Sequence, residues 1–206
     1  MEQVTCNGFQ SREHGFRRWL RSRAIAPALI CFLALSYSFP SPAADESLEY
    51  QVKAAFLLNF TKFVEWPPSA FDAAHSPIAI CILGEDPFGA ALDQIVAGEI
   101  VSGRKLLVRR LKRPPEPKEC QAVFVGGADE VRGSTPGMLP GNLGPGILTV
   151  GEGENFIHDG GMIAFVLENR RVRFSINQSA AENAGLKLSS KLLNVAKPVQ
   201  QPVEKK

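Results

Sequence analysis

Between Glu49 and Pro67 the chain reads EYQVKAAFLLNFTKFVEWP, and its apolar residues return at helical spacing. Val52, Phe56, Phe60 and Phe63 form one stripe, Leu57, Val64 and Trp66 widen it, and Thr61, Lys62 and Glu65 fall on the other side. This pattern predicts an amphipathic helix with Ser47 as N-cap and Glu49 in the first turn. It should stop after Trp66, because Pro67 and Pro68 remove backbone donors and disfavour helical geometry before each ring. By itself such a stripe specifies a face packed on a core and nothing more.

The pattern then changes period. Pro77 opens IAICILG, an unbroken apolar run closed by Gly84, which suits a strand buried on both faces. Asp86-Pro87 predicts an N-cap with proline at the first helical position, Phe88, Leu92, Ile95 and Val96 form the next helical stripe, and Gly98 ends it. With a strand at Leu106–Leu111, residues 78–111 make a βαβ unit. Further strands are predicted at Ala122–Val125 and Ile147–Val150. Met162–Leu167 and Arg171–Ile176 flank Glu168-Asn169-Arg170 as an antiparallel hairpin. A weak helix over Asp129–Leu139, broken by glycine and proline, and short helices at Gln178–Ala184 and Ser190–Ala196 complete the reading. The sum is one α/β domain: a mixed, mostly parallel sheet with helices on its faces and a C-terminal antiparallel hairpin.

The first 44 residues stand apart. Five arginines (Arg12, Arg17, Arg18, Arg21, Arg23) precede an apolar run from Ala24 to about Phe39, and Ser41-Pro42-Ala43-Ala44 resembles a small-residue cleavage site. Residues 1–44 therefore read as a secretory signal, 45–197 as the domain and 198–206 as a disordered tail. An uncleaved membrane anchor is the alternative, but the run falls short of the roughly 20 residues a span needs and contains Pro27. Residues 1–44 hold five of the 23 basic and two of the 21 acidic residues, so 18 face 19 in the remainder. That near-neutral balance removes the charge argument for nucleic-acid binding.

Catalytic chemistry finds little footing. Beyond residue 44 the histidines are His75, in a Ser/Pro-rich loop, and His158, beside a glycine-rich turn, with no spacing that suggests a metal site or a triad. Gly151-Glu152-Gly153-Glu154-Asn155-Phe156 imitates a phosphate loop, yet it lacks the third glycine and sets two carboxylates where phosphate would sit, so it reads as a strand-to-loop turn. No catalytic residue, metal or cofactor is expected. Signal cleavage would discard Cys6 and Cys31 and leave Cys81 and Cys120, an even pair that reads as a disulfide in an oxidising compartment, the alternative being two buried thiols that never meet. Arg104, Lys105, Arg109, Arg110, Lys112 and Arg113 place six positive charges in ten residues. They read either as charges that blunt an edge strand or as a docking surface for an acidic partner or for anionic lipid headgroups, with Arg104, Lys105, Lys112 and Arg113 as the candidates.

Taken together, the segment Glu49–Pro67, the fragments ICILGEDPFG, GRKLLVRRL, CQAVFVGG and LTVGEGENF, and the run GGMIAFVLENRRVRFSINQSAAENAGLKLSSKLLNVA (Gly160–Ala196) resemble, in order, the YfiR or HmsC-type family of small periplasmic proteins. The resemblance implies a non-enzymatic periplasmic repressor. Such a protein binds the periplasmic sensor domain of an inner-membrane diguanylate cyclase and restrains cyclic di-GMP synthesis and biofilm formation. It leaves room for a homodimer and for an outer-membrane lipoprotein antagonist. The alternative is a ligand-binding or accessory module of a sensor kinase or transport receptor system. Well-known members of the family carry an additional cysteine pair near the last strands. Asn155–Ala164 holds no cysteine here, so redox behaviour tied to that pair does not transfer.

Overall fold

The computed structural model describes residues 42–127 and 143–198, with side chains from Leu48 onward in the first helix. The expected signal segment, the weak helix at Asp129–Leu139 and the tail beyond Pro198 lie outside the described residues. Helix α1 (Pro42–Phe63) leads into β1 (Val64–Glu65), a single 3-10 turn (Pro68–Ala70) and β2 (Ile78–Gly84). Then follow α2 (Ala90–Val96), β3 (Ile100–Val101), β4 (Arg104–Leu111) and β5 (Ala122–Gly126). The second stretch carries β6 (Leu148–Glu152), α3 (Glu154–His158), β7 (Ile163–Glu168), β8 (Arg171–Ile176), α4 (Gln178–Asn183), β9 (Lys187–Leu188) and α5 (Ser190–Val195).

Seven strands form one sheet in the order β3-β4-β2-β5-β6-β7-β8. β4, β2, β5, β6 and β7 run parallel, while β3 pairs antiparallel with β4 and β8 with β7. This is the mixed, mostly parallel sheet with a terminal hairpin that the pattern predicts. Because side chains alternate across a strand, Ile78, Ile80, Ile82, Phe124, Val150 and Phe165 share one core with α1 and α2. Ala79, Cys81, Leu83, Val123 and Val125 pack on the other face with Phe156 and Ile157 of α3. Helices thus bury both faces, which is why β2 can be apolar throughout. No helix of the described residues is long and apolar enough to cross a membrane.

Around α1 the structure departs from the helix that the apolar pattern predicts. Ser47 lies within the helix rather than at its start, and the helix ends at Phe63, three residues early. Val64–Glu65 instead pairs antiparallel with Leu188–Lys187, and the Ser189 N–H donates to the Phe63 carbonyl at 3.0 Å, satisfying the helix end. The buried stripe is also rotated: Lys53, Ala54, Leu57, Phe60 and Thr61 face inward, whereas Val52 is exposed. Thr61 escapes an unsatisfied hydroxyl by donating to the Leu58 carbonyl at 2.6 Å. Two other boundaries move. Asp86 accepts from the Phe88 and Gly89 N–H groups at 2.8 and 3.2 Å, but this forms a turn, and α2 starts only at Ala90. The loop expected after β6 contains α3.

At the opposite end of the strands Gln121 joins four segments. Its side chain accepts from the Ala79 N–H (2.8 Å) and donates to the Ala70 carbonyl (2.8 Å). Its backbone carbonyl receives the Leu148 N–H (2.8 Å) and the indole N–H of Trp66 (3.0 Å). Only 2% of Gln121 is exposed, so each of these bonds satisfies a group that water does not reach.

Candidate functional site

Cys81 and Cys120 are joined as a disulfide, with Cα atoms 6.0 Å apart. The bridge ties the middle of β2 to the residue entering β5's approach, next to Gln121, and both cysteines are buried. It is a covalent staple inside the second core rather than a surface group.

The basic strand is largely committed to the fold. The Arg104 guanidinium stacks on the Phe71 ring at 3.7 Å and donates to the Ser76 and Ala73 carbonyls at 2.6 and 3.2 Å. Arg109 and Arg110 point to opposite faces, as strand alternation requires: Arg109 reaches Glu119 at 3.9 Å, and Arg110 clamps Asp86 and Asp93 at 2.7 and 2.6 Å. Asp93 is thereby held below the usual carboxylate range, chiefly by its hydrogen bond from Arg110. Arg113 pairs with Glu116 and Glu119 at 3.4 and 3.3 Å. Of the four candidates, Lys105 and Lys112 make no ion pair among the described residues, and both are exposed.

A different surface carries unspent apolar area. Between the N-terminal half of α1 and the β7–β8 hairpin lies a groove of about 470 Å³. Leu48 is 58% exposed, Val52 39% and Leu167 56%, with Phe56 and Val172 forming the floor. Contiguous exposed apolar side chains of this size mark interaction sites more often than chance placement does. Arg170 and Arg171 rim the groove. Asn169 and Arg170 both hold positive φ, 50° and 59°, in the two-residue hairpin loop. Glycine is favoured at such positions, so an arginine there is held at a conformational cost of about 1 kcal/mol.

Behind the groove sits an ion cluster built around a buried lysine. Lys53, 5% exposed, places its ammonium 2.5 Å from Glu49 one turn earlier and 2.5 Å from Glu152 at the end of β6. It also lies 4.3 Å from the Tyr50 ring centroid, and the Tyr50 hydroxyl donates to the second Glu152 oxygen at 3.4 Å. Burial opposes the charged form of Lys53, yet the bonds to Glu152 and Glu49 outweigh it and hold its pKa above the ordinary lysine value. Burial, reinforced by the Glu152 charge, raises the Tyr50 phenol, which stays a donor. Glu49 lines the groove, and Glu152 lines a second cleft on the other side of α1. One ammonium therefore connects the two.

Sequence reasoning missed this cluster. The one available signal was the Glu49–Lys53 spacing of four residues on a helix whose neighbours Ala54 and Leu57 are apolar. Glu152 was visible only as a residue spoiling a phosphate loop. His75 and His158 are exposed, one in the loop before β2 and one at the end of α3. A protein-family model described as YfiR/HmsC-like matches residues 50–197. No curated protein matches the chain.

Proposed function

Because the chain belongs to the YfiR/HmsC-like family, whose match runs over residues 50–197, we propose that it is a non-enzymatic periplasmic repressor of a membrane diguanylate cyclase. It binds the cyclase's periplasmic sensor domain and restrains cyclic di-GMP synthesis and biofilm formation. The family match across the whole domain carries this reading. The Cys81–Cys120 bridge supports the compartment, because disulfides persist where conditions are oxidising.

A repressor acts only through a difference in affinity. Driving a sensor domain from almost wholly active to almost wholly inactive requires binding the inactive state about 10⁴-fold more tightly. Such selectivity needs desolvated apolar contacts, and the groove between α1 and the β7–β8 hairpin is the surface that offers them. Its occupant is a segment of the sensor domain with an apolar face and acidic flanks, matching Leu48, Val52 and Leu167 at the centre and Arg170 and Arg171 at the rim. Lys105 and Lys112 contribute at most to the rate of encounter.

Deleting the gene should raise cyclic di-GMP and surface attachment. Unchanged cyclic di-GMP in the deletion strain, with the cyclase expressed, would refute repression. Leu167→Asp changes an exposed position, so the variant should melt like the parent and fail to restore repression. A normally folded Leu167→Asp protein that represses fully would move the docking surface elsewhere.

A further inference from the structure

On the other side of α1 from the groove, the C-terminal ends of β2, β5 and β6 frame a cleft of about 480 Å³. Its position follows from the strand order. β2 connects through α2 to β4 on one side, and the chain then crosses back so that β5 lies on the other side of β2. The strand order therefore reverses at β2, and in open α/β sheets ligands are held at such a switch point, outside the carboxyl ends of the strands. The volume lies in the range of small-molecule sites.

The cleft is preformed. Asp86 holds the loop after β2 through the Phe88 and Gly89 N–H groups, and Arg110 fixes Asp86 from β4 at 2.7 Å. Gly126 lies so close to the Glu85 backbone that a Cβ built on it would stand 1.9 Å from the Glu85 carbonyl oxygen, so the two strand ends meet only because position 126 lacks a side chain. Phe88 packs edge-on against Phe124 at 4.7 Å and against Tyr50 at 5.7 Å, giving a rigid aromatic wall.

The charge of this cleft selects its ligand. Glu85 and Glu152 line it, Glu49 lies behind in the groove, and among the described residues Lys53 is the one cation of this cluster, which leaves two negative charges in excess there. Glu85 is exposed and makes no ion pair among the described residues. Anions are repelled, and no group of three or more His, Cys, Asp or Glu among the described residues is arranged to hold a metal ion. We propose that the cleft at the ends of β2, β5 and β6 binds a small organic cation, an amine without a carboxylate of its own, whose ammonium pairs with Glu85 and Glu152 and whose carbon skeleton lies along Phe88 and Tyr50. Charge-assisted bonds in a partly desolvated cleft supply the affinity, and the Tyr50 and Phe88 rings add apolar contact.

The test uses the purified full domain alone, so its outcome is independent of the cyclase. Cadaverine is the probe and 1,5-pentanediol its neutral analogue of equal length, titrated by calorimetry at low salt while the Gly126 and Gly127 amides are followed by NMR. Cadaverine should bind saturably and shift both amides, and the diol should not. Glu85→Gln should weaken cadaverine by about tenfold or more, the loss expected for one hydrogen bond to a charged group. Glu116→Gln, an exposed carboxylate outside the cleft, should leave binding unchanged. Equal binding of the diol, equal losses in Glu85→Gln and Glu116→Gln, or shifts confined to other amides would each overturn the proposal.

Discussion

Replacing both carboxylates that hold Lys53, as Glu49→Gln with Glu152→Gln, should destabilise the domain far more than Lys53→Met, which removes the ammonium itself. The asymmetry follows from burial. The Lys53 side chain is 7% exposed, against 24% for Glu49 and 39% for Glu152. When the lysine is removed, both carboxylates regain water, and a partly solvated pairing of this kind costs about 1 kcal/mol to lose. When the carboxylates are neutralised, a buried ammonium is left without countercharge, at about 3 to 5 kcal/mol. The cost has a ceiling, because the lysine can shed its proton: from a reference value of about 10.4, neutralisation at pH 7 costs about 4.6 kcal/mol. The pH dependence has a definite sign. In the parent, the raised Lys53 pKa contributes stability that is complete below the unfolded value and fades as pH rises through the folded one. In the double variant the uncompensated ammonium titrates low, so its penalty is largest near neutrality and disappears as pH approaches 10. Urea unfolding at pH 7 and pH 10, with unchanged m-values, measures both effects. A double variant as stable as Lys53→Met at pH 7, or a deficit that does not narrow by pH 10, would refute the reasoning.

Cys81→Ala with Cys120→Ala should cost about 4 kcal/mol on the chain-entropy model, since the bridged residues are 39 apart, and chemical unfolding of the oxidised parent against the variant gives the difference. Gly126→Ala should destabilise by about 1 to 3 kcal/mol, because the new methyl meets the Glu85 backbone rather than a flexible side-chain end; a neutral melting temperature would show that the strand ends separate easily. Among the basic residues, Arg104→Gln should lower stability by about 1 kcal/mol through its lost stacking and carbonyl bonds, whereas Lys105→Gln with Lys112→Gln should change it by less than about 0.5 kcal/mol. If the lysine pair also leaves the salt dependence of partner binding untouched, those charges are only a solvated edge.

The features legible in the sequence are those that nearest neighbours in the chain decide. Ile78–Gly84 reads as a buried strand because no polar residue interrupts it, and Met162–Leu167 with Arg171–Ile176 reads as a hairpin because the polar tip Glu168-Asn169-Arg170 separates an apolar run from an alternating one. Cys81 and Cys120 were readable as a pair by elimination. What stayed hidden depends on partners far along the chain. Val64–Glu65 carries a helical stripe, yet the Lys187–Leu188 segment claims it as a strand. Thr61 looks polar and is buried because its hydroxyl is satisfied one turn back. Lys53 looks like a solvated charge and is buried because Glu152, 99 residues away, ends its strand beside it. The groove was invisible for a similar reason: Leu48, Val52 and Leu167 belong to ordinary apolar stripes until the fold leaves them uncovered.

The bond from Trp66 to Gln121 has an optical consequence. The chain contains two tryptophans, Trp19 and Trp66, so a protein beginning at Asp45 fluoresces from a single indole. That indole is anchored to the residue immediately after Cys120. Emission colour and intensity therefore report on the corner where the disulfide, the 3-10 turn and the starts of two strands converge. Reduction of the bridge and loosening of that corner can thus be followed in an unlabelled sample, without introducing a probe or altering a residue.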